Sequence, residues 1–129
     1  KDGLIDVIVS DHLPEDEESK RLPFAQAATG AIGVETLLPL SLEMYHNESL
    51  PLNKIIETLT INPAKILKIK KGTLAKGSDG DICIFDLDAP GKVVADKLKS
   101  KSKNTAIEGR NLQGKILMTY LNGELVYSN

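Results

Sequence analysis

The stretch Ser-Asp-His-Leu-Pro-Glu-Asp-Glu-Glu, residues 10–18, ends an apolar run with an Asp11-His12 pair and passes at once to proline and acids. A carboxylate at a strand end can carry a proton or touch a metal ion, since both tasks need an ionised oxygen at the rim of a cavity. An aspartate there is also a common turn or cap residue. His12 is a candidate metal ligand, with support of a neighbouring ligand or plain packing as the simpler use. Neither His12 nor His46 falls at a recognised zinc-ligand spacing.

Three other features carry candidate chemistry. Gly30 and Gly33, in Thr-Gly-Ala-Ile-Gly-Val-Glu-Thr, resemble a phosphate loop only weakly, because no strand directly precedes them and no Gly-Lys-Thr follows. Lysines 97, 99, 101 and 103 form a basic stretch without the interleaved aromatics on which nucleic-acid bases stack. The single cysteine, Cys83, has no intrachain disulfide partner and no companion for a thiolate site, so core packing is expected.

The elements that must position these residues follow from periodicity. Residues 4–10 are rich in Ile5, Val7, Ile8 and Val9, a continuous apolar run that suits a strand buried on both faces in a parallel sheet. Residues 13–33 mix acids, prolines and small residues without a sustained period, which predicts a long loop of the kind that is functional or mobile. Val34, Leu37, Leu38, Leu42 and Tyr45 then recur at helical spacing, with Pro39 predicting a kink or a late start. A second helix is predicted from Pro51, with Leu52, Ile55, Ile56 and Leu59 on one face, and a third from Asn62 as N-cap with Pro63 at its first position. Short strands follow at Gly-Asp-Ile-Cys-Ile-Phe-Asp-Leu, Gly-Lys-Val-Val, Gly-Lys-Ile-Leu-Met-Thr-Tyr-Leu and Glu-Leu-Val-Tyr-Ser, the last pair joined by an Asn122-Gly123 hairpin turn.

The chain has 129 residues, 16 basic and 18 acidic side chains, a net charge of -2 and a pI near 5.7. That balance gives no broad cationic footprint for nucleic acid. No run approaches the ~18 apolar residues of a membrane span, and the opening residues lack the order of a signal peptide, so a soluble, cytoplasmic protein is expected. The run at residues 4–10 lacks neighbouring strands to pair with, which marks the chain as a C-terminal piece of a larger protein. Its apolar side chains should stay uncovered, favouring association with the missing segment or with itself as a homo-oligomer.

The segment from Ile5 to Leu42 resembles the last barrel strand and following loop of the dihydroorotases, a family of cyclic amidohydrolases. The shared pattern is a strand, Asp-His-x-Pro at residues 11–14, Pro-Phe at 23–24 and Gly-x-x-Gly-x-Glu-Thr at 30–36. Thr-Ile-Asn-Pro-Ala at 60–64, Lys-Asn-Thr at 103–105 and Glu-Gly at 108–109 extend the likeness over essentially the whole chain.

The resemblance implies an α/β fold: the C-terminal piece of a (β/α)8 barrel, comprising the last strand, active-site loop and helices at residues 1–70, then part of a small β subdomain at 71–129. It implies a zinc centre at the strand ends, most of whose ligands lie outside this chain, with Asp11 as the one metal-site residue here. It also makes Asp11 the proton carrier in the reversible hydrolysis of L-dihydroorotate to N-carbamoyl-L-aspartate, a step of pyrimidine synthesis. Thr29 and Gly30 match the backbone segment that contacts the ring of this small-molecule substrate. One departure stands out: Glu15 occupies the place of a substrate-binding histidine found in many members, and is not assigned to the site. Two alternatives remain open. One is a dihydropyrimidinase or allantoinase; the other is a catalytically silent homologue that supports a partner such as aspartate transcarbamoylase.

Overall fold

The computed structural model describes residues 2–129, an assembly of short helices followed by an antiparallel sheet. The apolar run at residues 4–10 forms no ladder. Its main chain is held by the Ile8 amide donating to Thr58 O at 3.2 Å, and Leu4, Ile5 and Val9 are exposed, Leu4 at 87%. A strand needs partners for its amides and carbonyls, and none of the described residues supplies a sheet on either side of this run.

The predicted loop is more ordered than its composition suggests. It contains a short helix, α1 (Glu17–Lys20), whose N-cap Asp16 accepts the Ser19 amide at 2.7 Å. It then returns to the end of the apolar run through a parallel bridge between His12 and Ala31. A second parallel bridge joins Ile32 to Thr105.

Helix α2 (Leu37–His46) starts late, as one of the two readings of Pro39 predicts. Pro39 lies in its first turn, where an amide has no intrahelical acceptor, so the missing N–H costs nothing. Helix α3 (Leu52–Leu59) follows Pro51 directly and buries Ile55 completely. Helix α4 (Ile61–Ile66) corrects the predicted cap: the N-cap is Thr60, which places Pro63 within the first turn. Asn62 instead donates from Nδ2 to Asp6 O at 2.9 Å, tying the helix to the opening segment.

The sheet has the order β1-β2-β3, with β1 (Ile82–Lys92), β2 (Asn111–Leu121) and β3 (Glu124–Ser128) all antiparallel. The predicted separate strand at Gly91–Val94 does not form. Gly91 and Lys92 end β1, and the chain passes through Val93 and Val94 into a 3₁₀ turn at Ala95–Lys97. Val93 is buried.

Helix α2 packs on β2, with the fully buried Leu42 against Gly114. Gly114 has φ +106°, and a Cβ there would lie 2.5 Å from Leu42 Cδ1, so glycine permits both the backbone angle and the approach. Arg110 adds a fork from the start of β2 to Glu43 on α2, with Nη2 at 3.1 and 2.7 Å from the two carboxylate oxygens.

Cys83 corrects another expectation, since it is exposed on β1 instead of packed in the core. It lines an apolar groove with Leu38, Ile56, Leu59 and Phe85, and partial desolvation still pushes its thiol pKa up. At neutral pH it is therefore a protonated thiol.

The β2–β3 turn matches its sequence signal: Asn122 and Gly123 both have positive φ, 52° and 82°, as a type I′ turn requires. Asp81 secures it from the β1 side. Its Oδ1 accepts the Asn122 amide at 2.9 Å, and its Oδ2 lies 2.5 Å from Lys71 Nζ, which also meets Asp79 at 2.6 Å. The Asn122 amide, followed by the Lys71 ammonium, holds the Asp81 pKa below its ordinary value. Hydrogen bonds to Asp79 and then Asp81 raise that of Lys71.

The signs fix the pH window. The Asp81 contribution is complete above the unfolded aspartate value of about 3.9 and is lost as pH falls through the lower folded value. The Lys71 contribution is complete below its unfolded value of about 10.4 and is lost only as pH rises through the higher folded one. Amide-exchange protection at residues 120–124, corrected for intrinsic rates, should therefore hold level through neutral pH and fall in acid. Asp81→Asn, which keeps an acceptor for the Asn122 amide, should flatten that acid limb. An unchanged limb in this variant would remove Asp81 from the account.

Candidate functional site

Asp11 sits at the end of the apolar run, exposed, with φ +43°. Left-handed backbone is unfavourable for a side chain with a Cβ, and aspartate tolerates it better than most. Such strain persists where the surroundings over-determine it, and it clusters at working sites. The surroundings here are the parallel bridge at His12 and Ala31, fastened by the Leu13 amide donating to Ala31 O at 3.0 Å.

The same bridge brings two of the three predicted residues together. Asp11 and Gly30 line one cavity of about 500 Å3, whose walls include Ile8, Ile32, Leu40 and Met44. Thr29, the third, is exposed and outside that lining. Gly30 has φ +122°, and a Cβ on it would meet Leu13 O, Cγ and Cδ2 at 2.8 Å. Glycine is therefore required twice, by the backbone angle and by the approach of residue 13.

His12 does structural work through its ring. Nδ1 accepts the Gly33 amide at 3.1 Å and lies 3.4 Å from the Val34 amide, which leaves the proton of the neutral ring on Nε2. This agrees with a supporting role and occupies the nitrogen that a ligand would need. His46 Nε2 lies 3.1 Å from Leu87 O, far along the chain from Asp11.

Glu15 is anchored by its main chain. Its amide donates to Asn104 Oδ1 at 3.4 Å, its carbonyl accepts Ser102 Oγ, and it does not line the cavity that holds Asp11.

Sequence reasoning missed the residues that hold this loop. Asn104 Nδ2 donates to Gly30 O at 3.3 Å, and Asn104 O accepts the Ile32 amide at 3.2 Å. Lys20 Nζ donates to Ala28 O at 2.6 Å and to Gly30 O at 2.9 Å. Glu35 caps the lysine stretch, its two carboxylate oxygens accepting the Lys99 and Ser100 amides at 2.9 and 3.0 Å. That stretch is thus a connection pinned to the loop. Asn104 and Glu35 both fall in motifs that mark the family likeness, but nothing in their spacing foretells partners 64 to 89 residues away.

The donor set fits a metal only in part. Among the described residues no three His, Cys, Asp or Glu side chains converge as a metal site would require. Asp11 is the one carboxylate on that cavity's lining, whereas a catalytic zinc takes three ligands from protein.

Two of the glycines with positive φ, Gly30 and Gly77, have different surroundings and make a test. Gly77, at φ +89°, has open space where a Cβ would go. Gly77→Ala should carry only the cost of the backbone angle, about 1–3 kcal/mol. Gly30→Ala should carry that cost plus displacement of residue 13, so its thermal midpoint, measured in the complete protein, should fall further. Equal shifts would mean that the Leu13 contact is not a constraint.

Comparison with known proteins bears on the family and the fold. The profile described as "Amidohydrolase family" matches residues 1–126. A protein named dihydroorotase from Ehrlichia chaffeensis is 44% identical over 127 residues, which is 98% of this chain and 28% of that protein. The solved structure titled L-hydantoinase (dihydropyrimidinase) from Arthrobacter aurescens is 37% identical, with a TM-score of 0.85 over 98% of this chain and 29% of its own. Dihydropyrimidinase from Brevibacillus agri shares the fold with a TM-score of 0.94 over the full chain and 30% of its own length, at 24% identity. The chain spans under a third of each of these relatives. With its sequence and its mixed helix-and-sheet fold both matched almost from end to end, the chain belongs to the amidohydrolase family.

Proposed function

We propose that this chain is the C-terminal portion of a zinc-dependent dihydroorotase, catalysing the reversible hydrolysis of L-dihydroorotate to N-carbamoyl-L-aspartate. Residues 4–10 would supply the last strand of a (β/α)8 barrel, the helices to about residue 70 its outer layer, and residues 71–129 a part of the β subdomain. The exposure of Leu4, Ile5 and Val9 supports this reading, because such a strand is covered only by its barrel neighbours. The observation that carries the proposal is the pairing of Asp11 with Gly30 in one cavity, on a chain whose relatives are named dihydroorotase.

In this reading Asp11 accepts a proton from the attacking water and returns it to the leaving amide nitrogen, so one carboxylate serves both directions. The left-handed backbone aims it from the end of the strand, and the Gly30 turn presents main-chain groups to the ring beside it. When bound, zinc would acidify the water and polarise the carbonyl, with Asp11 as the ligand from this chain. The isolated chain, holding one ligand, should be inactive.

The complete protein tests the proton carrier. Asp11→Asn should lower turnover about 10²–10⁴-fold in both directions at full metal loading, the usual share of general acid–base catalysis. Near-normal turnover at that loading would end the assignment.

Glu15 gives a second test. Because it lies outside the cavity lining, Glu15→Gln should leave KM for dihydroorotate nearly unchanged, since a screened carboxylate acts weakly at a distance. A several-fold fall in KM would show the carboxylate repelling substrate from within the site.

A second reading is a hydantoinase or dihydropyrimidinase, favoured by the 37% identity to the Arthrobacter enzyme. Turnover of hydantoin or dihydrouracil in preference to dihydroorotate decides for it.

A further inference from the structure

We infer that Lys20 is a positioning residue for the turn that contacts substrate: its ammonium, together with the Asn104 side-chain amide, fixes the Gly30–Ala31 peptide beside Asp11. The inference rests on the dihydroorotase reading above and names how that site is held in shape.

The Gly30 carbonyl receives two donors from opposite ends of the sequence, Lys20 Nζ at 2.9 Å and Asn104 Nδ2 at 3.3 Å. A carbonyl has two lone pairs, so both are engaged. A trans peptide is planar, with its N–H directed opposite to its C=O. Pinning Gly30 O therefore also sets the direction of the Ala31 amide, in the residue that bridges to His12 next to Asp11. Without these donors a glycine at φ +122° has wide freedom to turn its peptide.

Lys20 is itself preset. It ends α1, whose Asp16 cap and Glu17–Arg21 ion pair order the turn. Ser19 O accepts the Ala28 amide at 3.1 Å, and the ammonium adds Ala28 O at 2.6 Å. The helix end and the 28–30 turn thus meet through three hydrogen bonds. Two of the three are charge-assisted, the stronger class.

The test uses the complete protein. Lys20→Met should raise KM for dihydroorotate on the order of tenfold while kcat stays within about threefold, because the turn binds the ring and Asp11 moves the proton. Lys20→Arg, which keeps charged donors, should recover most of the loss. Hydrogen exchange across residues 28–33 should rise in Lys20→Met and stay level in β1–β3. Asn104→Asp removes the donor to Gly30 and keeps the acceptor for Glu15, and it takes the place of Lys20→Met if that variant does not fold.

A fall in kcat at unchanged KM, without faster exchange at 28–33, would overturn the inference and leave Lys20 as a general stabiliser. If the unsubstituted protein does not turn over dihydroorotate, the proposed function fails instead, and the pinning of Gly30 then stands or falls on the exchange result alone.

Discussion

The site depends on one short crossing, in which residues 102–105 pass against the loop that follows Asp11. Asn104 is its centre, for its Oδ1 faces the Glu15 amide, its Nδ2 the Gly30 carbonyl and its main-chain oxygen the Ile32 amide. Of the loop's large apolar side chains Leu13, Leu22 and Phe24 are exposed and Ile32 is buried, so burial alone could not hold one shape. Polar bonds to a segment that is itself tied down replace a hydrophobic core there. Glu35 fastens the other side of the crossing by capping the Lys99 and Ser100 amides. Removing one partner of such a network leaves half-buried polar groups unpaired, which costs more than one bond is worth.

This arrangement makes the helical and β parts of the chain work as one unit. Leu42 on α2 is buried against β2 at Gly114, and the 102–105 crossing lies between β1 and β2 in sequence. The strands therefore help place the loop near Asp11 although none of their side chains reaches the carboxylate. The same economy explains the short list of buried apolar residues: Ile32, Leu42, Ile55, Ala64, Val93 and Leu112 form the core. Much of the remaining apolar surface, Phe24 at 100% exposure included, is directed outward.

Local chemistry was legible wherever its cause was local. Period 3.6 gave α2 and α3, and Asn122-Gly123 gave the hairpin through its two positive φ angles. Pro39 marked the late start of α2 because proline constrains its own turn. Apart from the separate strand expected at Gly91–Val94, whose first two residues instead end β1, the predictions that missed involved distant partners. Asn62 found its acceptor on Asp6 in place of a cap. Cys83 had a core-like neighbourhood in sequence but lies exposed at the edge of a groove that α2 and α3 only partly close.

Taken by itself, the sequence carried the family likeness, and it was that likeness that drew attention to Asp11 and Gly30. From residue type alone Asp11 stayed open between a working carboxylate and a turn or cap residue, and Gly30 between a ligand-contacting turn and a plain loop. Only the tertiary structure decided that Asp11 and Gly30 share a cavity, that His12 is occupied by the Gly33 amide, and that Lys20 and Asn104 converge on one carbonyl. The physical reason is that hydrogen bonds act over about 3 Å in space and take no account of separation along the chain.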